Sequence, residues 1–323
     1  MSIEIPWVEK YRPKTFSDII SQNIAINNIK EFIKNPDMPH MIFTGPAGTG
    51  KTSTALIIVK NFLKKEELRT NLLEVNASDT VRMDFVRNVL KNFVGQNILK
   101  DGSLKFVILD EADNIPGQVQ QALRRIIEKA STNVKFILLC NYINRIIDPI
   151  ISRCAVFRFV NLPREKIVER LKYIVVKEKL EIPKDQSKKF YELLFFISGG
   201  DLRKAINTLQ MAVALELVDN LDLNEILKIS GFLGEKTLED LVNALKNKDF
   251  TKSKEILDSI ETLDSRSFIR QLIEELSNID IDPNKLPSLR SFIGEIDYRI
   301  SQGANEQIQI SALLAQIIDT IKK

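Results

Sequence analysis

"MIFTGPAGTGKTSTALIIVKNFL", Met41 to Leu63, opens on a short apolar run, turns through three glycines and continues with helical spacing. The run reads as a buried strand ending on Gly45, and "TSTALIIVKNFL" reads as a helix. Between them "GPAGTGKT", Gly45 to Thr52, matches the phosphate-binding pattern G-x-x-x-x-G-K-[ST] in full, in the required setting after a strand and before a helix. Glycines let such a loop wrap with its N–H groups facing inward, and the helix N-terminus adds positive potential. Lys51 would then bridge the β- and γ-phosphates of ATP, and Thr52 would supply a ligand to Mg2+. Gly45, Pro46, Ala47, Gly48, Thr49, Gly50, Lys51, Thr52 and Ser53 form the candidate cradle. A chance glycine-rich turn would not carry both the pattern and its setting.

Working outward, "LLEVNASD" (Leu72 to Asp79), "LKFVILDEAD" (Leu104 to Asp113) and "KFILLCN" (Lys135 to Asn141) read as further strands. "MDFVRNVLKNF" and "QVQQALRRIIEKA" read as helices between them. Short apolar strands alternating with helices predict an α/β domain with a parallel sheet covered on both faces. Asp110 follows apolar residues that bury its strand, so its carboxylate should emerge beside the phosphate loop and hold the metal. Glu111, the next residue, is placed to polarise the water that attacks the γ-phosphate. One acid for the metal and one for water point to hydrolysis rather than binding alone. Asn141, at the end of the neighbouring strand, either begins a turn or orients that water.

After "AVFRFVNLP" the apolar spacing becomes helical almost throughout. "SGGDLRKAINTLQMAVAL" reads as a helix opened by glycines, with Asp201 as an N-cap candidate, and "SGFLGE" marks a break. "DIDPNKLPSL" splits the remaining amphipathic helices. The expected domains are residues 1–161, 162–229 and 230–323, an α/β domain followed by two helical ones.

Composition narrows the function classes. The chain has 323 residues, 44% hydrophobic and 28% charged, with net charge +3, so mild basicity alone does not establish nucleic-acid binding. Cys140 and Cys154 lack C-x-x-C spacing, which excludes a disulfide framework and a zinc site. With His40 as the single histidine, a histidine-based triad is excluded. No apolar run approaches membrane-spanning length, and Glu4 and Glu9 stand where a signal peptide would be apolar. A cytoplasmic protein with no membrane partner is expected, nucleoid-associated, or nuclear in a eukaryote.

These motifs resemble the AAA+ ATPases. "PWVEKYRPKTF", "VNASD", "QQALRRIIE", "IISRC", "GGDLRKAINTLQ" and "QGANEQIQISALLAQI" narrow the resemblance to the small subunit of replication factor C, the archaeal and eukaryotic clamp loader. The resemblance covers essentially the whole chain from Pro6. It implies a RecA-like core, a helical lid (162–229) and an all-helical C-terminal collar (230–323) that assembles five subunits. It implies ATP-driven opening of a PCNA-type sliding clamp and its loading on primer–template DNA. Val8, Tyr11, Arg12 and Ile20 would fall over the adenine, and Arg203 would reach the γ-phosphate from the lid. Arg153, in "IISRC", would project into the ATP site of the neighbouring subunit as an arginine finger. DNA phosphates would be met by Arg82, Arg87, Lys91 and Arg124, with Arg125 beside them; Arg87 and Lys91 share a face at i, i+4 spacing.

The chain departs from the family pattern in places. "NASDTVR" stands where "NASDERG" is frequent, "GPAGTGKT" replaces "GPPGTGKT", and "ISQN" stands where a Gly-Gln pair is common. No reacting group is lost, and together the changes suggest a divergent member of the family, whether the main small subunit or a second paralogue. "QNIL", in the stretch Phe93 to Leu104, has the start of a clamp-binding box but no aromatic pair after it, and reads as a connecting loop. Two other readings compete: a ring subunit that binds ATP but turns over little, and a branch-migration motor. Intact Lys51, Asp110 and Glu111 argue against the first, and a helical C-terminal third argues against the second.

Overall fold

A computed structural model describes residues 5–35, 37–80, 82–96, 104–130, 133–218, 221–260 and 263–322. The chain forms two compact units: Met1–Lys177 with Ser198–Asn207, and Glu178–Ile197 with Thr208–Lys323.

The first unit is built on five parallel strands: β1 (His40–Thr44), β2 (Leu72–Asn76), β3 (Lys105–Asp110), β4 (Val134–Cys140) and β5 (Cys154–Arg158). Their order is β2-β3-β4-β1-β5. The apolar runs are continuous rather than alternating because both faces are covered. Met41, Phe43, Phe106, Ile108, Ile137 and Leu139 pack to one side, with Ile29, Ile58 and Val59. Ile42, Val107, Leu109, Phe136 and Leu138 pack to the other, with Leu123 and Ile127. Burying each such side chain stabilises the fold by about 1.5–3 kcal/mol. Register does the functional work: Thr44 pairs with Cys140, and Asn76 with Asp110. The residues that follow β1, β3 and β4 therefore share one carboxyl edge, where ligands of open α/β sheets bind.

Three expected elements end or wind differently. β2 stops at Asn76 rather than Asp79, because the Asn76 side chain accepts from Ser78 N (3.0 Å) and Ser78 Oγ (2.8 Å) and turns the chain into a helical turn, Ala77–Thr80. β3 stops at Asp110 rather than Asp113, because Glu111 takes a left-handed backbone, φ 54, and Ala112–Asn114 follow as a 3-10 turn. The helix read in "MDFVRNVLKNF" is π-helical over Phe85–Leu90 and continues as an α-helix over Lys91–Gly95. Its wider turn removes the α-helical i, i+4 alignment of Arg87 and Lys91, though both remain exposed.

The second unit is helical, and its helices include Leu223–Ile229, Glu235–Lys246, Phe250–Asp258, Ser265–Glu275, Leu286–Ser301 and Glu306–Thr320. Side-chain caps start four of them: Asp222, Asp249, Asp264 and Asn305 each accept a backbone N–H three residues on. Phe268, Leu241, Leu289, Ile296, Leu313 and Ile317 centre their core. No helix among the described residues is long and apolar enough to cross a membrane.

Candidate nucleotide-binding and hydrolysis site

The phosphate loop leaves β1 at the carboxyl edge, and Gly45 N donates to Cys140 O of β4 at 3.2 Å. Gly45 and Gly48 take φ 145 and 69. A Cβ on Gly45 would lie 2.1 Å from Phe159 O, and one on Gly48 would lie 2.0 Å from Asp201 Oδ1. Glycine is thus required at both positions by backbone angle and by close approach.

Lys51 opens the helix Lys51–Phe62 and is buried. Its Nζ donates to Gly45 O (2.7 Å), Pro46 O (2.8 Å) and Asn141 Oδ1 (3.0 Å). Burial lowers its pKa; Asp110, Cys140 and Asp113 oppose that shift and Arg203 adds to it. Thr52 Oγ1 donates to Asp110 Oδ2 at 2.8 Å, joining the two expected metal ligands directly. A hydroxyl and a carboxylate are hard oxygen donors that suit magnesium, which takes one or two carboxylates together with phosphate oxygens. No group of three or more His, Cys, Asp or Glu able to hold a metal occurs among the described residues, so this pair is not a closed protein cage. Asp110 Oδ1 accepts from Glu111 N (2.9 Å), and Asn114 Nδ2 donates to Glu111 Oε2 (3.4 Å).

These groups line one cavity of about 290 Å³. Ala47, Gly48, Thr49, Gly50, Lys51, Thr52, Ser53, Asp110, Glu111, Asn141 and Arg203 are in its wall, together with Val8, Tyr11, Arg12 and Ile20. Gly45 and Pro46 do not line it; their carbonyls hold Lys51 instead. Asn76, Leu162, Arg170, Leu202 and Ile206 also line it and were not foreseen. Asn76 could have been found as the polar end of the strand beside Asp110. Arg170 carries no local signal: it lies within the helix Arg164–Lys177, donates to Tyr11 O at 2.7 Å and stacks on Tyr173. Gln22, the glutamine of "ISQN", is buried and bonds Val160 twice through its amide, at 2.8 and 3.0 Å, fixing the N-terminal arm. Arg12 pairs with Glu9.

Two family models match: the ATPase family associated with various cellular activities (AAA) over residues 41–162, and the replication factor C C-terminal domain over residues 234–316. Replication factor C small subunit 1 of Pyrobaculum islandicum is 40% identical, covering 99% of this chain and 96% of its own. The replication factor C small subunits of Archaeoglobus fulgidus and Saccharolobus solfataricus are 38% and 41% identical, covering 98% and 97% of this chain and 98% and 94% of their own. The chain belongs to the replication factor C small-subunit family. It is accordingly a nucleotide-binding AAA+ ATPase and a clamp-loader subunit of DNA replication. The solved structure of the Thermotoga maritima RuvB Holliday junction branch migration motor shares the fold, with TM-score 0.53, 18% identity, and coverage of 84% of this chain and 92% of that one. That likeness speaks to fold alone. The C-terminal helices, residues 234–316, match the replication factor C C-terminal domain.

Other residues singled out for replication factor C function lie away from this cavity. Arg153 is part-exposed: Nη2 meets Glu128 Oε1 at 2.6 Å, and Nη1 donates to Pro149 O (2.6 Å) and Ser152 Oγ (3.3 Å). Arg124 Nε donates to the same Glu128 oxygen at 2.8 Å, so this candidate DNA contact is engaged within the chain. Arg124, with Arg153 and Arg125, holds the Glu128 carboxyl below its ordinary pKa. Arg82, Arg87, Lys91 and Arg125 are exposed. Most of the "QNIL" stretch, residues 97–103, lies outside the described residues. Burial pushes the Cys154 thiol up to about 12 and raises that of Cys140 as well, which leaves both as unreactive packing groups.

Proposed function

We propose that this chain binds ATP with magnesium in the cavity beside Lys51 and hydrolyses it to drive a PCNA-type sliding clamp open and onto primer–template DNA. The observation that carries the reading is the gathering of Lys51, the Thr52–Asp110 pair, Glu111, Asn141 and Arg203 in one cavity wall. Lys51 would exchange its bonds to Gly45 O and Pro46 O for phosphate oxygens, a trade of neutral acceptors for charged ones. Glu111 would take the proton of the attacking water, and Asn141 would orient that water. Arg203 would neutralise charge on the γ-phosphate. Val8, Tyr11, Arg12 and Ile20 would enclose the base. Thr52 and Asp110 would hold magnesium, which when bound supplies charge neutralisation at the phosphates.

Arg153 would serve the ATP of a neighbouring subunit. Its absence from its own cavity wall supports that reading. Residues 162–229 and 230–323 would act as lid and collar, the collar joining a large subunit and further small subunits in a five-membered assembly. Arg82, Arg87, Lys91 and Arg124 would meet DNA phosphates, Arg124 only on leaving Glu128. The deciding test is Lys51→Ala in the assembled complex, where ATP-dependent clamp loading should be lost. Normal loading by that variant would overturn the reading.

A further inference from the structure

Asp113 is a buried carboxylate that the hydrolysis above does not use. It sits in the 3-10 turn Ala112–Asn114 after β3, only 7% exposed. Its Oδ2 accepts from Asn141 N at 3.2 Å and from Tyr142 N at 3.1 Å, the first two residues beyond β4. Its Oδ1 is buried with no hydrogen-bond partner. Taking a carboxylate out of water is costly, and one oxygen left unpaired returns none of that cost. Two backbone bonds are a poor return in stability for a charge held there, so the arrangement calls for another purpose. The bonded residues identify one. Asn141 carries the amide whose Oδ1 meets Lys51 Nζ at 3.0 Å.

We propose that Asp113 is a positioning residue for ATP hydrolysis: it fixes the turn after β4 and thereby aims the Asn141 side chain into the cavity. Gln120 holds the later part of this turn, at Arg145 O and Ile147 N, whereas the N–H groups of Asn141 and Tyr142 themselves both turn to Asp113. The Asp113 charge is close enough to oppose the lowering of the Lys51 pKa and to add to the raising of Cys140's, which sets it electrostatically inside the same site. The fourth letter of "DEAD" thus connects the acidic strand end to the polar strand end beside it. Its effect on turnover rests on Asn141 orienting the attacking water, as proposed above.

The test is a double-mutant cycle in the assembled complex, with ATP affinity of the full chain measured alongside by titration of a fluorescent nucleotide. Asp113→Ala removes the acceptor and should lower kcat about 10²-fold, the scale of an ångström misplacement, with ATP affinity unchanged. Asp113→Leu, which fills the space without an acceptor, should match it. Asp113→Asn keeps an acceptor oxygen for both N–H groups and should recover most of the rate. Asn141→Ala should lower kcat similarly, and Asp113→Ala added to it should cost little more, because both act through one side chain. Losses that multiply, or wild-type turnover in Asp113→Ala while Asn141→Ala is slow, would overturn the inference and leave the ATPase reading intact. If neither Asp113→Ala nor Asp113→Leu binds ATP, the carboxylate holds the fold and the inference also fails. Wild-type turnover in Asn141→Ala would instead overturn the role given to Asn141.

Discussion

Arg153 is ion-paired to Glu128 of its own chain at 2.6 Å, and the same carboxylate oxygen takes Arg124 at 2.8 Å. One acid thus holds the arginine read as a finger and an arginine read as a DNA contact. Both arginines are more than a third exposed, so water competes with the pairs and either side chain can leave for a phosphate. Arg153→Ala is expected to lower ATP turnover of the assembled complex by about 10³-fold or more. ATP affinity of the isolated chain should not change, because Arg153 does not line its cavity. Steady-state hydrolysis and nucleotide titration check the two halves, and full turnover in the complex would refute the role in trans. Glu128→Ala should leave the thermal midpoint where it is.

Ser21 stands at φ 56, in the left-handed region that favours glycine. The next residue, Gln22, is tied to Val160 through both amide atoms, so the backbone cannot relax away from that angle. Ser21→Gly is therefore expected to stabilise the chain by about 0.5–1 kcal/mol, relief of the side-chain clash outweighing the added freedom of the unfolded chain. Thermal unfolding would register this as a higher midpoint; an unchanged or lower one would refute the strain.

His40 makes stability depend on pH. Burial, with the positive charge of Lys135 behind it, lowers its pKa from 6.5 to about 4, and Nδ1 must stay unprotonated to accept Phe136 N at 3.1 Å. Between these two values the unfolded chain binds more protons than the fold. Stability should therefore fall by roughly 3 kcal/mol as pH drops from about 6.5 to about 4, and the contribution should level off below. Urea unfolding across that range measures it. A His40→Asn variant should show a flatter profile, and an equal slope in both would exclude His40 as the cause.

Gln120, on the buried face of Gly117–Lys129, uses its whole amide. Nε2 donates to Ile115 O and Arg145 O, both at 2.9 Å, and Oε1 accepts from Ile147 N at 2.9 Å. Gln120→Leu would leave three buried-side backbone groups unpaired, and a loss of about 3 kcal/mol is expected in denaturant unfolding. A loss below about 1 kcal/mol would show that water replaces the amide.

The phosphate loop was legible because its chemistry is written in adjacent residues, and Asp110, Glu111 and Asn141 because each ends an apolar run. Other features depend on distance or on hydrogen-bond pattern. Arg170 reaches Tyr11 O across 159 positions, and nothing near it in sequence anticipates that bond. The π-helical turn Phe85–Leu90 carries ordinary helical spacing, because buried Val86 and Leu90 fit either winding. The ends of β2 and β3 were misread by apolar content alone, when Asn76 and Glu111 turn the chain through a side-chain bond and a left-handed angle. Asp113 carries no signal of its own in "DEAD": the 3-10 turn after β3 sets it against the Asn141 and Tyr142 N–H groups, a contact across 28 and 29 positions.

The left-handed backbone at Glu111 has a bearing on how variants of this chain are chosen. A side chain there costs about 1 kcal/mol or more, and glutamine bears the same cost as glutamate. Glu111→Gln is therefore a matched control that changes the chemistry and leaves the backbone alone. Glu111→Gly would relieve the angle and yield a more robust chain with a silent site, so selection for thermal tolerance and selection for turnover pull this one position in opposite directions.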